Sequence, residues 1–198
     1  MESTKTSNLE LRKLIGAAML TAVAYALQLL EFPAPLSPTF AKMDLSDLPA
    51  LIGSFAYGPW WGVIIEGVKN AIHLTRTATA GVGELANFLI GSALVLPAGL
   101  IYKHNKTRKS ALIGCIVGSV SMGVIAAAAN YFILLPMFES FAPIDQIIQM
   151  FADIMPIIRT KLDVVLLNAL PLNMVKGFVI SLITMLLYKR ISPILKGA

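Results

Sequence analysis

Charge is scarce in this sequence. Only 14% of its 198 residues are Asp, Glu, Lys or Arg, against about 25% in an ordinary soluble domain. Cysteine occurs once, at Cys115, so no disulfide can form within the chain. The two histidines, His73 and His104, lie far apart, and no Cys/His spacing fits a metal site. Neither the phosphate loop G-x-x-x-x-G-K-S/T nor H-E-x-x-H is present, so ATP hydrolysis by that route and zinc-peptidase chemistry are not expected. Asp44 and Asp47 stand one turn apart at the start of a helix and read as caps rather than a catalytic pair. Ser54, Ser92 and Ser119 have no intramembrane base at plausible depth except His73. The chain reads as a non-enzyme.

Hydrophobic residues fill the space that charge leaves. They make up 57% of the chain, and mean hydropathy is +0.76. The apolar runs are too long for ordinary core helices, since a membrane-spanning helix needs about 20 residues. Six spans are expected, at about Leu11–Leu30, Asp44–Ala56, Trp60–Thr77, Gly83–Tyr102, Ala111–Leu135 and Leu162–Tyr188. Together they nearly exhaust the length, so residues 1–198 read as one transmembrane domain. The first run lacks a small-residue cleavage pattern and reads as a retained span rather than a signal peptide. Three prolines between Phe32 and Pro38 predict a loop, and Tyr57-Gly58-Pro59 predicts a break. In the long segment 136–161, Ile144–Met155 fits either an interfacial helix or a plain loop.

The net charge of +5 follows topology. Lys5, Arg12 and Lys13 precede the first span. Lys103, Lys106, Arg108 and Lys109 separate the fourth and fifth, and Lys189, Arg190 and Lys196 follow the last. With six spans all three groups face the cytoplasm, which puts both termini inside. Tyr57, Trp60, Trp61, Tyr102 and Tyr188 fall at the same boundary, as an interfacial aromatic belt does. No basic face carries interleaved exposed aromatics, so nucleic acid is not an expected partner. The basic ends face anionic lipid instead.

Polar residues inside the spans carry the functional signal, because an ionisable group there costs about 2.5–3.5 kcal/mol on insertion scales. Glu66, Lys69, Asn70 and His73 share one face of the third span, as an internal ion pair or a cavity wall. Glu84 and Asn87 open the fourth span. Asn130 follows four alanines in the fifth, and Asn173 and Lys176 share a face of the sixth. Asn87, Asn130, Asn173 and Lys176 all fall in the outer half or middle of their spans, which predicts a pocket open to the outside. Amide and ammonium groups with apolar walls suit a flat heterocycle bearing carbonyl and N–H groups. Interhelical hydrogen bonding is the bland alternative for the asparagines. Ala18, Ala22 and Ala26 form a smooth stripe on the first span, for packing within the bundle or for docking on another membrane protein.

Several segments resemble a known family. They are Phe40-Ala41-Lys42-Met43-Asp44-Leu45-Ser46-Asp47-Leu48-Pro49-Ala50-Leu51, Tyr57-Gly58-Pro59, Glu66-Gly67-Val68-Lys69-Asn70 and Gly83-Glu84-Leu85-Ala86-Asn87-Phe88. Ala129-Asn130-Tyr131-Phe132 and the Asn173/Lys176 pair complete the set. In this order they resemble the riboflavin-specific substrate-binding (S) components of energy-coupling factor vitamin transporters of bacterial cell membranes. The resemblance implies an all-α, six-span S-component bundle with riboflavin as transported ligand and no cofactor. It implies that Asn130, Asn173 and Lys176 contact the polar edge of the flavin ring. Glu84 and Asn87 would line or support the pocket, and the first outer loop, with Phe40 and Lys42, would close over it. The stripe Ala18, Ala22, Ala26 would dock on a transmembrane coupling subunit that works with two ATPase subunits. Capture from outside, reorientation in the membrane as the partners use ATP, and release inward would follow. Another vitamin, or a stand-alone secondary transporter, remains open on the residues alone.

Overall fold

The computed structural model describes residues 2–39, 41–77 and 79–196. Phe40, expected in the loop over the pocket, lies outside the described residues. Nearly everything described is helical. Helix α1 (Glu2–Gln28) is rich in Ala and Leu and free of Pro and interior breaks. At about 1.5 Å per residue it is about 40 Å long, enough to cross a bilayer. Three other stretches are both long and apolar enough to cross: Val82–His104, Arg108–Glu139 and Lys161–Tyr188.

Between Gln28 and α2, where three prolines predict a loop, lies a short β-ribbon. Strands β1 (Phe32–Pro33) and β2 (Lys42–Met43) pair antiparallel, with Phe32 opposite Met43 and Pro33 opposite Lys42. A two-residue ribbon has few ladder bonds to lose, so it tolerates a proline that cannot donate.

Helices α2 (Asp47–Tyr57) and α3 (Pro59–His73) are shorter than the spans expected at 44–56 and 60–77. Gly58 separates them with φ of 116°, which glycine adopts without a Cβ penalty. Pro59 then opens α3, where its missing N–H costs nothing. A 3-10 turn at Leu74–Arg76 closes α3.

Helix α4 (Val82–His104) matches its expected bounds within two residues. Helix α5 (Arg108–Ala129) starts at Thr107, whose side chain accepts from the Ser110 N–H. It runs into a π-helical turn at Asn130–Leu134 and on into α6 (Leu135–Glu139). The uncertain 136–161 segment is helical in its middle: α7 (Ile144–Ala152) buries Ile147 and Phe151. It covers a small core with Leu135, Ile158, Val164 and Val165. A Thr160/Asp163 capping box starts α8 (Lys161–Asp163), a second π-helical stretch covers Val164–Ala169, and α9 (Leu170–Lys196) follows.

The main core lies among α2, α3, α4, α5 and α9 and includes Leu51, Ile65, Leu94, Met122 and Ile180. Glycines bring its helices together. A Cβ on Gly118 would sit 2.5 Å from the Leu94 carbonyl, and one on Gly114 would sit 2.7 Å from the Ala98 carbonyl. These are backbone contacts that cannot yield by rotating a side chain. The aromatics at one end also cluster: Tyr57 meets Trp61 at 6.5 Å, and Tyr102 meets Tyr188 at 6.0 Å between ring centroids.

Gly118→Val is therefore expected to force α4 and α5 apart and to cost about 1–3 kcal/mol. It should lower the thermal unfolding midpoint of the detergent-solubilised protein. A melting curve superimposable on that of the native chain would contradict this packing.

Candidate ligand-binding site

At the end of the bundle opposite the aromatic cluster is a cavity of about 580 Å³. It receives the C-terminal ends of α1, α3 and α5 and the N-terminal ends of α4 and α9. Asn87, Asn130, Asn173, Lys176, Glu84 and Lys42 all line it. These six residues come from four separate segments of the chain and share one surface.

Two lysines with similar surroundings take different roles. Lys69 is fully buried. Its Nζ donates to Ser46 Oγ at 2.6 Å and Asp47 Oδ1 at 2.6 Å, and pairs with Glu66 Oε2 at 2.8 Å. Of the three donors of an ammonium, two are hydrogen-bonded, and Glu66 completes the charge pairing. Lys176 lines the cavity. Its Nζ lies 2.8 Å from Asp47 Oδ2 and only within 3.8 Å of Asp44 Oδ1. Lys176 therefore keeps donor capacity at the cavity wall.

Asp47 bridges the two lysines, so reading it as a simple cap is incorrect. It is 1% exposed, and burial of its carboxylate demands cations on both oxygens. Asp44 does not cap α2 either: its Oδ1 accepts from the Ser46 N–H at 2.7 Å, ahead of the helix, and shapes the turn that leads into it. The Glu66–Lys69 pair is the internal ion pair the spacing suggested. Gly91 makes room for it, since a Cβ there would lie 2.4 Å from Glu66 Oε2.

The asparagines are partly committed to their own helices. Asn130 Nδ2 donates to the Ala126 carbonyl and Asn173 Nδ2 to the Ala169 carbonyl, both at 2.8 Å. Each bond reaches back one turn and leaves Oδ1 as an acceptor. Asn130 opens one π-helical turn, and Ala169 ends the other. Widened turns of this kind often occur at functional sites. Here they border the cavity on both sides.

Glu84 acts as a support. Its Oε1 lies 2.9 Å from His73 Nδ1, and its Oε2 accepts from Thr77 Oγ1 at 2.9 Å and Thr79 Oγ1 at 3.2 Å. It thereby fixes the α3–α4 connection. Lys42 is exposed and pairs with Glu31 across the β-ribbon at the cavity mouth.

Sequence reasoning missed Gln28 and Asn168. Both line the cavity and both are buried. Asn168 Nδ2 donates to the Leu36 carbonyl at 2.8 Å and to Ser37 Oγ at 2.9 Å, tying the first loop to the wall. No residue spacing links positions 131 apart. Gln28 lies at the end of the first span, where a polar residue is commonplace, so only its burial marks it.

Ala18, Ala22 and Ala26 are exposed on the outside of the bundle. Ala17, Thr21, Ala24 and Gln28 form the buried face of α1 instead. Packing within the bundle is thus not what the stripe does.

Comparison with known proteins agrees with this architecture. The family model for the ECF transporter, substrate-specific component, matches residues 12–188. The riboflavin transporter RibU of Staphylococcus aureus is 34% identical over 186 residues, covering 93% of each chain. The riboflavin transporter FmnP of Bacillus subtilis is 30% identical over 188 residues, covering 93% of this chain and 94% of that one. A solved structure described as "Structure and mechanism of the S component of a bacterial ECF transporter" superimposes with a TM-score of 0.73 at 33% identity. It covers 94% of this chain and 99% of the other. A bundle with one polar cavity at one end, matched along almost its whole length, belongs to the substrate-specific component family of ECF transporters.

Proposed function

We propose that this chain captures riboflavin from outside a bacterial cell and hands it inward with partner subunits. The observation that carries this reading is the convergence of Asn87, Asn130, Asn173 and Lys176 on one cavity, in a chain similar to riboflavin transporters. Asn130 and Asn173 offer acceptors and Lys176 offers donors, which matches the alternating N–H and carbonyl groups along a flavin ring edge. Ile90, Leu134, Leu135 and Leu172 supply apolar lining for the ring faces. Glu84 holds the α3–α4 connection, while Lys42 belongs to the loop over the mouth.

The whole of 1–198 acts as one transmembrane domain of six segments, with both termini in the cytoplasm of the bacterial cell. The distribution of basic residues supports this orientation. Helices α2 and α3 are too short to cross alone, and their segments rely on burial among longer neighbours. The chain carries no phosphate loop, so ATP is used by two ATPase subunits through a transmembrane coupling subunit. The exposed Ala18, Ala22 and Ala26 form the surface for that subunit. Riboflavin is cargo, and no cofactor is involved.

Purified protein is expected to bind riboflavin and to show a flavin absorbance spectrum when loaded. Lys176→Ala should weaken binding by roughly 10-fold or more, because loss of a charged donor leaves a ligand acceptor unpaired at about 1–3 kcal/mol. Lys42→Ala should change it only a few-fold, since Lys42 is exposed. Fluorescence titration reads both, and equal affinities for Lys176→Ala and the native chain would contradict the assignment.

Ala22→Leu should bind riboflavin like the native chain yet impair uptake in cells that supply the coupling and ATPase subunits. Normal uptake by this variant would remove the docking role. Uptake by the chain alone, driven by an ion gradient, would replace it with a secondary transporter.

A further inference from the structure

Glycine inside a helix is destabilising, because it loses more backbone freedom on folding than alanine does. At every other described helical glycine the packing supplies a reason: an added Cβ would come within 3.0 Å of a neighbouring atom. Gly67 on α3 is the exception. A Cβ there would meet only Phe88, at 3.5 Å, which is an ordinary contact. No neighbour within the chain requires the missing side chain, so the space it leaves serves something outside the chain.

That space is the middle of a groove of about 420 Å³ between α3 and α4. Trp60, Ile64, Gly67, Val68 and Ala71 form its α3 side, and Phe88 faces them from α4. Apart from the Trp60 indole N–H, these side chains offer no polar group. Positions 60, 64, 67 and 71 follow one helical face, so the groove runs straight along α3. From Trp60 to Ala71 it is about 16 Å long at about 1.5 Å per residue. That is about half of a hydrocarbon core roughly 30 Å thick, or one leaflet. A packing helix is about 10 Å across and needs a wider trough than one missing side chain leaves. A single extended acyl chain fits.

The Trp60 end carries unpaired positive charge. Gly99 of α4 packs on Pro59, with a Cβ position 2.9 Å from the Pro59 Cα, so Trp60 stands beside the last turns of α4. Lys103 follows Gly99 by one turn, and Lys106, Arg108 and Lys109 follow it into the start of α5. All four are exposed, and none pairs with a carboxylate among the described residues. Trp60 is 65% exposed, as an aromatic at headgroup level is. Cations clustered beside an apolar groove complement an anionic headgroup above an acyl chain.

We infer that the α3–α4 groove is a binding site for one anionic phospholipid. Its acyl chain lies from Trp60 past Gly67 to Ala71, and its phosphate meets Lys103 and the basic residues that follow. The groove is separate from the ligand cavity and from the alanine stripe on α1, so the inference stands whether or not the cavity takes a flavin.

The test reads Trp60 directly. The chain has two tryptophans, and Trp61→Phe leaves Trp60 as the only one. The full-length Trp61→Phe protein is placed in vesicles that carry acyl-chain bromines either on phosphatidylglycerol or on phosphatidylcholine, and quenching of Trp60 gives the relative association of each lipid. Phosphatidylglycerol should associate about fivefold or more tightly, roughly the factor that one basic residue near a headgroup contributes. Gly67→Leu fills the groove with a good helix former and should bring phosphatidylglycerol down to the level of phosphatidylcholine without lowering the thermal unfolding midpoint. Where Gly67→Leu melts early, Ala71→Leu, at an exposed position, decides in the same assay. Equal association of both lipids before the groove is filled, or a preference that survives filling in a folded protein, would overturn the inference. Native mass spectrometry reads the other occupant: a dimer that Gly67→Leu or Ala71→Leu turns into a monomer would give the groove to a second copy of the chain and also overturn it.

Discussion

The structure depends on one buried charge chain. Asp47 on α2 holds Lys69 on α3 with one oxygen and Lys176 on α9 with the other, and Lys69 in turn holds Glu66. All four lie in the helical bundle, where an unpaired ion is penalised by several kcal/mol. The penalty makes the pairing nearly obligatory and gives the bundle its register. Helix α2 cannot slide along α3 or α9 without stranding a charge. Short helices of 11 and 15 residues would otherwise have little to fix their depth. Pairing also settles the division of labour between the lysines. Lys69 is fully buried with two hydrogen bonds and two carboxylate partners inside the protein, whereas Lys176 is anchored by a single close contact and stays available at the cavity wall.

A similar economy governs the amides. Buried polar groups must be matched, and this bundle matches them asymmetrically. Asn130 and Asn173 each spend one amide N–H on a carbonyl one turn back. Asn70 spends both ends of its amide on neighbours. What remains for a ligand at the cavity wall includes the Oδ1 acceptors of Asn130 and Asn173 and the spare donors of Lys176. A site of this kind is selective because each wrong partner leaves a dry polar atom unmatched.

Much of this was legible in the sequence because membranes make polarity expensive. Asn87, Asn130, Asn173 and Lys176 stood out against apolar runs, and the cavity collects all four. Helix α4 was bounded well because Gly and a basic tract flank it. Asp47 was misread because a carboxylate at a helix start already has a local explanation, and its cations come from residues 22 and 129 positions away. The β-ribbon was missed because prolines dominate its composition while only two residues on each side pair. Asn168 grips Leu36 and Ser37 across the fold, a contact with no local pattern. The alanine stripe was ambiguous for a different reason. Small residues permit close approach whatever approaches, and only the buried face of α1 decided which way they point.

The two ends of the bundle differ in a way that bears on transport. The cavity end is built from loops, π-helical turns and a short covering helix, with room between them. The far end is built from backbone contacts. Gly99 packs against Pro59 and Ser54, Gly114 against the Ala98 carbonyl and Gly118 against the Leu94 carbonyl. Below them the rings of Phe55, Tyr102 and Tyr188 pack against one another, tilted or edge to face. Interiors packed to this density do not part by side-chain motion. A molecule the size of a flavin would have to separate α2, α4, α5 and α9 to pass, and parting α2 from α9 breaks the Asp47–Lys176 pair. A pore through the bundle is therefore the costly route. Moving the bundle as a unit keeps every buried ion paired, and the outer face of α1, which exposes Ala18, Ala22 and Ala26 and has no charge between Lys13 and Glu31, stays unchanged in such a movement.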